Sequence, residues 1–185
     1  MKYSFILILV LFLSIVSAQG QLAIGAEEYR IYQAILNEDF IGASSTNLVI
    51  FRSTQFESIN NRRGMLAEAG NDTIKSYLSR GRVSSELSDV FGVQPNVRLI
   101  TEDDLVSVWR EDRADLGDSF KRAFLAKFSS DFSLKFSRVG FSKKADKALV
   151  HVGYTCGTTC GEGNFYVLEM RGGWKVKKKI RTWIS

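Results

Sequence analysis

One histidine, one pair of cysteines, a cluster of carboxylates and a run of lysines are the residues through which this chain could do chemistry. Because His151 is the only histidine, any histidine-dependent proton transfer has to pass through it. In the alternating stretch Ala148–Tyr154 it shares a face with Leu149 and Gly153, and no motif surrounds it. A general base also needs a partner to orient its ring, which the sequence does not supply. His151 is the catalytic candidate; the plainer expectation is a histidine on the sheet surface.

The cysteines sit in Gly153-Tyr154-Thr155-Cys156-Gly157-Thr158-Thr159-Cys160-Gly161-Glu162-Gly163. The glycines let the backbone bend enough to bring Cys156 and Cys160 within bridging distance, which predicts a disulfide stapling the connection between two strands. Closing so short a loop contributes about 2 kcal/mol on the chain-entropy account. A redox-active dithiol is the alternative. It needs a stabilised thiolate, and the neighbouring Glu162 disfavours one. Two sulfurs and one distant histidine do not fill a tetrahedral zinc shell, so no metal and no cofactor is expected.

Carboxylates gather at Glu102-Asp103-Asp104 and recur at Glu111, Asp112, Asp115 and Asp118. They could pair for hydrolysis. Helix starts also favour acids, and Thr101 followed by Asp104 marks such a start. Calcium-loop spacing, a glycine-rich phosphate loop and a nucleophile elbow are all missing. Simple alternation from Trp174 sets Trp174, Val176, Ile180 and Ile184 against Lys175, Lys177, Lys179 and Arg181. Four cations spaced two residues apart would form a line about 20 Å long, either a solvated or guarded edge or a contact for an anionic envelope component.

The elements that must position these groups follow from periodicity. Met1-Lys2, an apolar run from Phe5 to Val16 and the small residues Ser17-Ala18 predict a signal peptide over 1–18, cleaved after Ala18. Residues 19–185 are then expected to form a single α+β domain, exported to a periplasmic or extracellular setting, with no further membrane span. Tyr32, Ile35, Leu36 and Phe40 repeat at helical spacing, with Glu27, Glu28, Arg30 and Glu38 assigned to the polar side. Leu48–Phe51 and Val97–Ile100 read as strands, and short helices are predicted from Asp72 to Leu78 and over Ser84–Phe91. Phe120, Phe124, Leu125 and Phe128 share a helical face. From Ser133 the period becomes two, giving strands at Ser133–Phe141, Ala148–Tyr154, Asn164–Met170 and Trp174–Trp183. Short polar turns join them, so N-terminal helices are predicted to pack on one face of a C-terminal antiparallel meander of about four strands. Composition fits a globular chain: 45% hydrophobic residues, 13 Phe and one Pro. A net charge of +5 is too mild to imply nucleic acid.

The segment Phe136–Phe141, the strand around Gly153-Tyr154, the Cys156-Gly157 and Cys160-Gly161 pairs, Tyr166–Glu169, Gly173-Trp174-Lys175-Val176 and the ending Trp183-Ile184-Ser185 resemble a recurring pattern. It is similar to a group of secreted bacterial proteins, many from the Bacteroidetes, for which no activity is known. The resemblance covers roughly the last quarter of the chain and implies a secreted bacterial protein; it carries over no catalytic residue. More loosely, helices before a meander resemble nuclear-transport-factor-2-like or cystatin-like architecture, which hosts enzymes and binding modules alike. A non-catalytic binding or interaction module is therefore the expectation. The alternative is a small hydrolase or isomerase with a pocket between helices and sheet.

Overall fold

The computed structural model describes residues 23–41, 47–89, 96–111, 118–157 and 160–185. The predicted signal peptide, Asp112 and Asp115 lie outside them.

The chain is α+β. Helix α1 (Ala26–Asp39) precedes strand β1 (Leu48–Phe51), a 3-10 turn (Ala67–Ala69), α2 (Asn71–Gly81), β2 (Val97–Ile100), α3 (Glu102–Glu111) and α4 (Asp118–Phe128). Strands β3 (Ser133–Phe136), β4 (Gly140–Phe141), β5 (Lys147–Thr155), β6 (Gly161–Met170) and β7 (Trp174–Ile184) follow. All seven strands form one mixed sheet in the order β2-β1-β3-β5-β6-β7, with β4 also on β5. The C-terminal part is the predicted antiparallel meander, and Arg171-Gly172-Gly173 turns β6 into β7 with positive φ at both glycines. β1 pairs parallel with both β2 and β3, which draws the two N-terminal strands into the same sheet.

Helices cover both faces of the sheet, where one was expected. Ile31, Tyr32, Ile35 and Leu36 of α1 pack on Leu134, Phe136, Val150, Val152, Tyr166 and Leu168. On the opposite face, Leu66, Ile74 and Tyr77 cover Leu149, Phe165, Val167 and Ile180. Farther along that face, Val108, Phe124 and Phe128 cover Val49, Phe51 and Ile100. Central strands β5 and β6 are buried on both sides, so their apolar residues run nearly unbroken. The second face thus carries two groups of helices.

Three local expectations change. Helix α2 is capped by Gly70 at φ 86°, and Asp72 ties the helix to the turn between β4 and β5 by accepting from the Lys143 amide at 2.9 Å. Ser84–Ser88 forms no helix: Glu86 bridges to Ser53, and the Leu87 amide donates to the Arg52 carbonyl. The part of that predicted helix beyond Asp89 lies outside the described residues. The strand expected over Ser133–Phe141 is interrupted at Ser137–Val139, because Phe136 pairs with Val152 whereas Gly140 pairs with Leu149.

That bulge turns Arg138 inward. Arg138 and Glu28 are 2% and 1% exposed. The Glu28 carboxylate accepts from Arg138 Nε and Nη2 at 3.0 Å each, the Val139 amide at 3.0 Å, Arg80 Nη2 at 2.6 Å and the Gly25 amide at 3.2 Å. Glu28 therefore belongs to the buried side of α1, not to the polar side assigned from spacing. Burial alone would push its carboxyl up; the Arg138 hydrogen bonds, the Val139 amide and the charges of Arg138 and Arg80 outweigh that and hold it below its ordinary value.

Candidate functional site

On the face that carries two helix groups, a cleft of about 290 Å³ opens between α3/α4 and the end of the meander. Leu105, Phe120 and Phe124 supply its helical wall, and Phe51 adds a ring from β1. Ser133 and Lys135 of β3 with Gly153 and Thr155 of β5 form the sheet side. Gln55, Lys121 and Asp131 supply further polar groups, and Cys156, Gly157 and Trp183 complete the lining.

Trp183 owes its position to glycines. Gly153 lies opposite Gly163 across β5 and β6, and Gly163 lies opposite Trp183 across β6 and β7. A Cβ built on Gly163 would stand 2.1 Å from the indole Nε1, one on Gly161 3.1 Å from Cζ3, and one on Gly153 3.7 Å from Cζ2. The indole therefore lies against nearly bare backbone, and at Gly163 it comes closer than any residue with a Cβ allows, whereas the contact at Gly153 is an ordinary one. Trp183 remains 36% exposed while lining the cleft. Three glycines in strands weaken the local sheet, so their spacing marks a close approach.

Lys135 is the charged group in the sheet side. Its ammonium sits 4.1 Å from the centroid of the Phe51 ring and is ion-paired with Glu102 at the start of α3. The Lys135 side chain is 27% exposed and that of Glu102 55%. Glu102 is placed there by the predicted helix start: the Thr101 amide donates to Asp104 at 2.8 Å and the Asp104 amide donates to Thr101 Oγ1 at 3.2 Å. The Thr101 hydrogen bonds hold the Asp104 carboxyl below its usual range.

The cysteines close the β5–β6 connection beside the cleft. Their sulfurs lie at disulfide distance with Cα atoms 5.1 Å apart, and the Cys156 amide donates to the Cys160 carbonyl at 2.9 Å. Cys156 is buried and Cys160 exposed.

His151 is not on the sheet surface. It is 5% exposed, two residues along β5 from Gly153, with its ring in an edge-on contact with Phe165 at 5.0 Å between centroids. Its Nε2 shares a hydrogen bond with Thr182 Oγ1 at 3.1 Å. Burial, helped by the Arg62 charge, pushes its pKa down to about 4. The helix and loop packed over β5–β7 bury it, which strand alternation alone could not foresee. His151 does not line the cleft.

The basic strand loses its single face. Register shifts against β6 place Lys179 and Arg181 opposite Tyr166 and Asn164 on the α1 face. Lys175 and Lys178 lie opposite Glu169 and Val167 on the other face, with Lys177 at the irregularity between them. Lys177 pairs with Glu169, Lys179 with Asp39 at 2.8 Å and Glu162 at 3.6 Å, and Arg181 with Glu162 at 3.4 Å. Of the acidic cluster, Glu102 reaches the cleft's lysine and Asp104 caps α3, while the Glu111 and Asp118 side chains lie outside the description. Among the described residues, no three His, Cys, Asp or Glu side chains gather to hold a metal, and no helix is long and apolar enough to cross a membrane.

Sequence spacing assigned Phe120 and Phe124 to a packed helical face and did not single out Lys135, Gln55 or Asp131. The signal available was the recurrence of glycine at 153, 161 and 163, read as loop-bending although each stands within a strand. Comparison with protein-family models, curated proteins and solved structures finds no match to this chain.

Proposed function

We propose that this protein is a non-catalytic binding module, exported from the cytoplasm, whose cleft takes a small, largely apolar ligand. The observation that carries this reading is Trp183, laid on backbone that only glycine leaves bare while still lining a cleft walled by Phe51, Phe120 and Phe124. A half-exposed aromatic platform beside a few polar groups is the usual composition of a ligand site, and the volume lies at the small end of that range. Export is supported by the leader-like start and by a cysteine pair suited to an oxidising compartment. The hydrolase or isomerase reading draws less support, because the histidine it would need is buried behind the cleft, against Phe165 and Thr182.

The test is a small-molecule screen read by amide chemical shifts and tryptophan fluorescence, run on the wild type, Gly163→Ala and Trp183→Leu. Ligands are expected to shift Ser133, Gly153 and Thr155, and to weaken about tenfold once the indole is displaced or removed. Trp183→Leu introduces no clash, so it decides the matter if Gly163→Ala folds poorly. A screen in which no compound shifts the cleft, or in which ligands bind Trp183→Leu unchanged, overturns the reading.

A further inference from the structure

We infer that the ligand is a small organic acid, a flat apolar body bearing one carboxylate, which binds by taking Lys135 from Glu102. This rests on the cleft being a ligand site and adds the ligand's charge and its anchor. Lys135 is held from one side by the Phe51 ring and from the other by Glu102. The ring contact fixes the ammonium at the cleft wall, and a cation over an aromatic face keeps its attraction for an anion. Glu102 is the replaceable partner. Its side chain is 55% exposed, and an ion pair so open to water contributes little. A ligand carboxylate in the cleft would meet the same ammonium away from bulk water, where a charge-assisted hydrogen bond is stronger. The described lining agrees in sign, since Lys121 and Lys135 face a single acid, Asp131. The body of the ligand follows from the walls: Trp183, Phe120 and Phe124 favour stacking, and about 290 Å³ suits one compact ring system rather than a chain.

The arrangement gives two substitutions opposite signs. Calorimetric titration with 2-naphthoate and its neutral amide, on wild type, Lys135→Met and Glu102→Gln, is the test. The acid is expected to bind about tenfold or more tighter than the amide. Lys135→Met should erase that preference and leave amide binding alone. Glu102→Gln, by freeing the ammonium, should tighten the acid about two- to fivefold and leave the amide unchanged. Should Lys135→Met fail to fold, wild type and Glu102→Gln still decide, because Glu102 is exposed. Equal binding of acid and amide, with both weakened by Trp183→Leu, overturns the inference and leaves the cleft standing. An acid preference that Glu102→Gln weakens also overturns it. Binding of neither probe, in a cleft that no other compound occupies, removes both.

Discussion

Protonating His151 should destabilise this protein, and the structure sets the size of the effect. The ring is 5% exposed, wedged between Phe165 and Thr182, and the cationic charge of Arg62 acts on it. Burial first, and Arg62 second, lower its pKa from 6.5 to about 4. The unfolded chain then binds a proton that the folded chain refuses, so stability rises with pH between those values. The contribution is fully present above the unfolded pKa of 6.5 and is lost as pH falls through that value toward 4. At about 1.36 kcal/mol per pH unit, the whole effect is about 3 kcal/mol, of which about 2 kcal/mol is lost by pH 5.

Urea unfolding of wild type and His151→Gln, from pH 7.5 to 4.5, isolates this group from other acid-sensitive sites. The stability difference between the two proteins should change by about 2 kcal/mol in favour of the variant between pH 7.5 and 5. For a chain of this length that corresponds to a relative Tm shift of about 4–8 °C. A difference that stays flat with pH would show that the folded state accepts the proton freely. So would an imidazole titration by NMR with a midpoint near 6.5, and either result refutes the buried-histidine argument.

Replacing Glu28 by Gln should cost about 3–5 kcal/mol, because Arg138 is left buried without its counter-charge; the double variant Glu28→Met, Arg138→Met should cost clearly less than the sum of its singles, and strict additivity in urea unfolding would sink the coupling. Glu28 also adds acid sensitivity of its own: its lowered pKa gives stability that is present above the ordinary value of 4.5 and lost as pH falls from there through the folded value, starting at the acid end of the window in which His151 acts. Changing both cysteines to Ser should lower stability by about 2 kcal/mol and loosen ligand binding, since Cys156 lines the cleft; unchanged melting would mean that the Cys156 amide to Cys160 carbonyl contact already holds the turn.

The parts of the fold that sequence made legible are those whose determinants are close in the chain. Tyr32, Ile35 and Leu36 repeat at helical spacing and are buried on α1 as expected; Thr101 and Asp104 exchange their hydrogen bonds; Gly172 and Gly173 adopt the positive φ of the turn. What escaped depends on distant partners. Glu28 looked like one more surface carboxylate because Arg138, which explains its burial, lies 110 residues away. Ser137 stood inside a convincing alternating run, yet the need to aim Arg138 at Glu28 breaks the strand there. His151 looked superficial because the loop and helix over it come from earlier in the chain. The cleft was the least legible feature. Phe120 and Phe124 have the spacing of core residues, and only the parting of two helix groups turns one side of that spacing into a wall.

Strand β7 shows how little irregularity a site requires. Its side chains should alternate, and a slip of one residue moves each of them to the opposite face. Two register shifts occur against β6, between Val167 and Leu168 and between Gly163 and Asn164. The first breaks the lysine line, places Ile180 opposite Phe165 in the core and sends Lys179 and Arg181 toward Asp39 and Glu162. The second decides the cleft. Continued alternation would set Thr182 opposite Gly163 and turn Trp183 to the α1 face. With the shift, Trp183 lies opposite Gly163, while Thr182 still reaches His151 through its hydroxyl and accepts from Arg62 Nη2 through its carbonyl at 2.5 Å. Thr182 and Trp183 thus act on the same side of the sheet, one holding the buried histidine and the other walling the cleft. Glycine at 163 is the complement of that shift, since any side chain there would expel the indole and leave the bulge without a purpose.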